Sequence, residues 1–191
     1  MTTVQTPTEA DTPVRLHISL DRVPDLVGRE FRGPWFTIGR EKLPVFDDAT
    51  YADQNIHTFD DDNYAEDLVE GFHLLALLDH LTNDLLAAEG DHWYAVNYGL
   101  DRVRFVTPVQ AGVPIRVHGA VADVRPKGDG HLLLLRMTVE VRGAERPGFT
   151  ADQWVLWLPT DDVEAREAPE VRARQETQEV QTQRSTSGGT T

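Results

Sequence analysis

Val69-Glu70-Gly71-Phe72-His73-Leu74-Leu75-Ala76-Leu77-Leu78-Asp79-His80-Leu81-Thr82-Asn83-Asp84-Leu85-Leu86-Ala87-Ala88 carries the main structural signal of this chain. Its apolar positions Phe72, Leu74, Leu75, Leu77, Leu78, Leu81, Leu85 and Leu86 nearly encircle a helix of 3.6-residue period, which predicts a helix over 69–88 buried on most of its sides. Gly90 supplies a stop signal, and the acidic residues ahead of Val69 supply a polar start. Beyond the helix the character changes. Segments 93–106, 115–124, 131–141 and 153–158 are rich in Val, Leu and aromatic residues and read as strands. Between them lie Pro108, Gly112 and Pro114, the turn Pro126-Lys127-Gly128-Asp129-Gly130, and the stretch from Gly143 to Gly148 with Pro147. Long strands joined by tight turns imply an antiparallel meander, so the class is α+β: a curved sheet wrapped around one helix.

The flanks bound the folded part. Residues 1–13 are rich in Thr and Pro, and 161–191 form an acidic and polar tail; neither holds enough apolar surface to offset the entropy of ordering it. The expected core is 14–160, one domain. No internal repeat is visible, so the sheet-around-helix unit, the hot-dog arrangement, is expected once per chain and paired with a second copy. With 32 acidic against 18 basic residues the net charge is −14, which repels phosphate backbones and anionic lipid and argues against nucleic-acid or membrane partners. The 191 residues include no cysteine, which excludes disulfides and thiolate chemistry. No signal peptide or membrane-spanning run is seen, and a cytoplasmic location is expected.

Three stretches carry a resemblance. They are Leu26-Val27-Gly28-Arg29-Glu30-Phe31 with Trp35-Phe36-Thr37-Ile38 and Phe46-Asp47-Asp48-Ala49-Thr50; Gln54-Asn55-Ile56-His57 with Glu70-Gly71-Phe72; and Asn97 to Val109 with Gly112 and Ile115-Arg116-Val117. The last, a strand ending in an Arg-Phe-x-x-Pro-Val turn, is the most specific. Together they resemble the MaoC family of enoyl-thioester hydratases and dehydratases, in its NodN-like branch, over about residues 26–158. The resemblance implies a single hot-dog domain, a homodimer, and a substrate carried by coenzyme A or an acyl-carrier protein.

Adding water to an enoyl thioester, or removing it from a β-hydroxyacyl thioester, needs a base and donors that hold the charge developing on the thioester oxygen. The family is understood to use an Asp and a His five positions apart on one loop, with backbone N–H groups at the helix start. His57 matches that His, but Ala52 stands five positions before it. Asp53, four before, serves if the loop is one residue shorter. At the helix start the family has His-Gly where this chain has Glu70-Gly71. In the related acyl-carrier-protein dehydratases the loop His works with a helix carboxylate about 14 residues later, and Glu70 is 13 after His57. The candidate catalytic residues are therefore His57, Asp53 and Glu70, with Gly71, Phe72 and Asn55 as substrate-binding positions. Each has a plainer reading: Asp53 as a turn-forming loop residue, His57 as a surface histidine, and Glu70 as a first-turn carboxylate facing the helix dipole.

Glu70, His73, His80 and Asp84 share a side of the expected helix, but their spacing fits no known metal geometry and no metal is expected. His92, His118 and His131 read as surface or interface residues, Arg104 as a strand-end residue paired with a carboxylate or carbonyls, and the tryptophans as packing. No phosphate loop, nucleophile elbow or zinc-protease motif is present, and no cofactor is expected. Replacement of the aligned Asp by Ala52 leaves three functions in view. They are a hydratase or dehydratase; an isomerase or cyclase of polyketide-type secondary metabolism that moves protons without losing water; and a non-catalytic acyl-binding or partner subunit.

Overall fold

The computed structural model describes residues 12–52, 67–90 and 92–160. The expected tails lie largely outside them, as do His57, Asp53 and Asn55. Within them the strands fall where the sequence places them: β5 is Trp93–Phe105, β6 Pro114–Lys127, β7 Gly130–Val141 and β8 Phe149–Pro159. Four short strands precede these among the described residues, β1 (Leu16–Ile18), β2 (Glu30–Arg32), β3 (Phe36–Thr37) and β4 (Leu86–Ala88). The main sheet runs β2-β6-β7-β8-β5, with β3 also on β6. Only β6, β7 and β8 form the expected meander. β5 crosses to the far side of β8 and is an edge strand among the described residues.

The helix departs from expectation. It forms as α2 (Gly71–Ala76) and α3 (Leu78–Thr82), which abut at Leu77, and helical structure stops there. Thr82 turns its hydroxyl back onto the Leu78 carbonyl at 2.8 Å, and Asn83 and Asp84, poor helix formers that compete for backbone groups, follow. Leu86–Ala88 is instead a strand, β4, paired in parallel with β1, and Gly90 with φ 87° turns the chain after it. A short apolar run does not distinguish strand from helix by period alone.

Nor is the helix buried on most sides. Leu74, Leu78 and Leu81, joined by Leu85, form one buried stripe against the sheet residues Val117, Val121, Leu133, Leu135 and Phe149. The surplus apolar residues face two flanking hollows. Leu75 and Phe72 border one beside β5, and Leu77 borders one beneath α1 (Leu43–Thr50), a helix that itself buries no residue. Arg104 donates to the Val103 carbonyl at 2.9 Å, as expected of a strand-end arginine, while His118 pairs with Glu140 at 3.3 Å.

Candidate active site

The entry to α2 is pinned by the turn that follows β5. Val69 N–H donates to the Val109 carbonyl at 2.8 Å, Ala111 N–H to the Asp67 carbonyl at 2.9 Å, and Leu68 bridges Gln110. Asp67, at φ 68°, is further held by Arg40 at 2.7 Å. The Arg-Phe-x-x-Pro-Val turn is therefore the brace that sets where the helix begins. Gly71 fits there because a Cβ would lie 2.8 Å from the Phe105 ring. The structure thus supplies a packing reason for this glycine beside the ligand approach expected from the sequence.

Glu70 is the N-cap residue, extended at φ −61° and ψ 149°, and its side chain makes no capping hydrogen bond. At the helix start Glu70 still faces the helix dipole, as in its plainer reading, but without a capping hydrogen bond. Leu74 is the first residue to reach back, donating to the Glu70 carbonyl at 3.0 Å, so the N–H groups of Gly71, Phe72 and His73 have no intrahelical acceptor. Burial, and secondarily the negative charge of Asp47 on α1, push the Glu70 carboxyl above its ordinary range and so favour its neutral, proton-donating form. Three residues on, His73 is 7% exposed and stacks flat on Phe46 of α1, ring centres 4.4 Å apart. Burial lowers its pKa, with Asp47 opposing, so the imidazole is held neutral.

Phe72 points the other way. It is 77% exposed and borders a hollow of about 410 Å³ between the helix and β5. A polar chain runs along this hollow. Asn97 donates to both Asp79 oxygens at 2.8 and 3.0 Å, and Gln153 donates to Asn97 at 2.7 Å. The Gln153 Oε1 is buried with no partner among the described residues.

Of the six site residues read from the sequence, the structure brings Glu70, Gly71 and Phe72 to one helix entry, where they diverge towards α1, Phe105 and the β5 hollow. His57, Asp53 and Asn55 lie outside the described residues. Ala52 follows Tyr51, which ends α1 in the left-handed region at φ 60°, and its methyl offers no proton-transferring group. Among the described residues no three His, Asp or Glu side chains are grouped closely enough to hold a metal, and no helix is long and apolar enough to cross a membrane. Sequence reasoning missed Asp47, the His73–Phe46 stack and the Asp79–Asn97–Gln153 chain. The one available signal was the place of Gln153 in the expected strand 153–158, in phase with Ala151, Val155 and Trp157, which are buried.

The architecture is that of the hot-dog fold, shared with a MaoC-like dehydratase from Rhodospirillum rubrum (TM-score 0.55, 17% identity, covering 72% of this chain and 96% of that one). An R-hydratase from Pseudomonas aeruginosa also shares it (TM-score 0.51, 20% identity, 70% and 84%). In sequence the chain is 35% identical to nodulation protein N of Rhizobium meliloti over 147 residues, covering 72% of this chain and 89% of that protein. It is 33% identical to 3-hydroxyacyl-thioester dehydratase Z of Mycobacterium tuberculosis over 129 residues, covering 65% and 85%. No protein-family model matches the chain. The chain belongs to the MaoC-like hot-dog hydratase and dehydratase family, in the branch of nodulation protein N.

Proposed function

We propose that this protein adds water to an enoyl thioester, or eliminates it from a β-hydroxyacyl thioester, with His57 as base and Glu70 as the partnering acid. In the hydration direction His57 takes a proton from water as its oxygen bonds to C3 of the enoyl group. The C2=C3 π pair moves towards the thioester, and Glu70 delivers the proton that completes the C2–H bond. The charge that develops on the thioester oxygen falls to backbone N–H groups at Gly71 and Phe72, with Asn55 as a further substrate-binding residue. The observation that carries this reading is the environment of Glu70. A carboxyl raised by burial and by Asp47, at the start of the helix, suits proton donation near neutral pH better than a free surface carboxylate does. Asp53 is the alternative partner of His57 on the loop.

The substrate is an acyl group on coenzyme A or a carrier protein, handled in the cytoplasm by a homodimer whose working unit is residues 14–160. The dimer is supported by β5. Its 13 residues pair only with β8 among the described strands, and it exposes Val96, Tyr98 and Leu100 next to Phe72. A long apolar edge of that kind is a template for pairing with a second copy. The test is to incubate the protein with enoyl and β-hydroxyacyl thioesters of coenzyme A and follow product mass. Gain or loss of one water is expected. Isomers of unchanged mass would replace this reading by the isomerase or cyclase one, and no product from any thioester would leave a binding subunit as the account.

A further inference from the structure

Phe72, Leu75, Ala76 and Asp79 fall at i, i+3, i+4 and i+7, and this stripe of the helix walls one side of the hollow of about 410 Å³ beside β5. β5 forms the facing wall, and Gln153 of β8 is part of the lining. The lining carries one polar run, Asp79–Asn97–Gln153, and its chemistry has a direction. A carboxylate only accepts hydrogen bonds, so Asn97 must turn its NH2 towards Asp79, at 2.8 and 3.0 Å, and its carbonyl towards Gln153. Gln153 must then turn its own NH2 to Asn97, at 2.7 Å. What is left over is Gln153 Oε1, an acceptor on a residue 4% exposed, with no partner among the described residues. A buried polar group without a partner is costly, and an occupant that donates to it relieves the cost. We propose that the hollow beside β5 receives the acyl chain of the substrate and selects one bearing a neutral donor, a hydroxyl or amide N–H, that hydrogen-bonds Gln153 Oε1. The inference rests on the thioester reading for its acyl carrier but on the Asp79–Asn97–Gln153 run for its selectivity.

Position and charge restrict the occupant. Phe72 joins the two sites, with its backbone N–H at the helix entry and its side chain on the hollow. The seven residues from there to Asp79, at 1.5 Å each, cover about 10 Å along the helix. An extended chain advances about 1.3 Å per bond, a third of the spacing between successive Cα atoms, so a donor roughly eight bonds from the thioester carbon reaches that depth. A carboxylate there would offer acceptors to an acceptor. An ammonium would lose its water among apolar side chains, while both Asp79 oxygens are already engaged by Asn97. A plain alkyl chain fills the same space but leaves Gln153 Oε1 bare, and sites built to bond a hydroxyl reject analogues that lack it. A second copy along β5 would roof the hollow, since Tyr98 and Leu100 border it and are exposed.

The test uses thioesters that cannot react. N-Acetylcysteamine thioesters of octanoic, ω-hydroxyoctanoic and ω-methoxyoctanoic acid lack both the enoyl double bond and the β-hydroxyl, and their binding to the full chain is followed by calorimetry. The hydroxy probe should bind about tenfold tighter than either of the others, the worth of one well-placed hydrogen bond. In folded Gln153→Met, which keeps the length of the side chain but offers no strong acceptor, the preference should pass to the plain chain. Equal affinities in the wild-type protein would overturn the proposal, because the amide that all three probes share, water or the second copy would then serve Gln153. Absence of binding by all three would overturn it as well, whether or not the variant folds, and so would a preference that survives in folded Gln153→Met. Hydration of enoyl thioesters without any hydroxyl preference would refute the subsite alone. A hydroxyl preference in a protein inactive on every thioester would keep the subsite and refute the reaction.

Discussion

Gly71→Ala sets two opposing effects against each other at the helix entry. Alanine is favoured over glycine within a helix by up to about 1 kcal/mol, and somewhat less in its first turn. Against this, the new methyl would lie 2.8 Å from Cζ and 2.9 Å from Cε2 of Phe105, where unstrained carbon contacts are near 3.5–4.0 Å. The ring or the helix start must yield by about 0.7 Å, and overpacking of this kind costs about 1–3 kcal/mol. Because Phe105 is 50% exposed, the ring has somewhere to go, which puts the cost at the lower end. The expected net loss is about 0.5–1.5 kcal/mol in urea unfolding, read as a lower midpoint at unchanged slope. In a Phe105→Ala background the obstacle is gone, so the same substitution should become neutral or stabilising by up to about 0.5 kcal/mol. That change of sign is the signature of packing. If Gly71→Ala destabilises equally in both backgrounds, the close approach to Phe105 is not what demands glycine. If stability is rescued but turnover is not, the glycine is also needed for the substrate.

Titration gives a second check. Burial holds His73 below its ordinary pKa near 6.5, so its contribution to stability is full above that value and is lost as pH falls through its lowered native one. Glu70 works the other way: its raised pKa makes its contribution full below about 4.5 and lost as pH rises through the raised value. Urea unfolding of His73→Phe should therefore lose the decline seen on mild acidification, while Glu70→Gln keeps it; an unchanged decline in His73→Phe would refute the assignment. Light scattering at micromolar concentration should find a dimer for the wild-type protein and a monomer for Tyr98→Asp combined with Leu100→Asp, and a wild-type monomer would remove the β5 interface. Ending the chain after residue 163 should leave Tm within a few degrees, because the residues beyond it carry no apolar period; a larger drop would show that they pack on the core.

The strands were legible because richness in Val, Leu and aromatic residues and the turn residues between agree along 93–159, and β6, β7 and β8 lie within a few residues of expectation. The helix was half legible. Eight apolar positions demanded burial, but period alone does not assign each its surface, and the structure divides them among the sheet, the β5 hollow and the α1 hollow. Leu86–Ala88 was misread because its partner, Leu16–Ile18, is distant in sequence and the pairing leaves no local mark. Glu70 and Gly71 stood out as departures from or matches to a motif. Phe46 and Asp47 were legible only as part of a matching stretch and His73 only as one residue of a helix side, since their joint meaning comes from α1 folding over the central helix, a contact between segments separated by more than 20 residues.

The central claim is proton transfer by His57, and the most direct measurement is the hydration rate of an enoyl thioester by wild-type, His57→Ala, Glu70→Gln and doubly substituted proteins. His57→Ala should lower kcat/KM by about 10²–10⁴-fold while leaving Tm nearly unchanged. Glu70→Gln should give a loss of similar size, and the double substitution should add little, because a pair that acts as a unit is lost with either member. Near-wild-type turnover in His57→Ala would contradict the account outright.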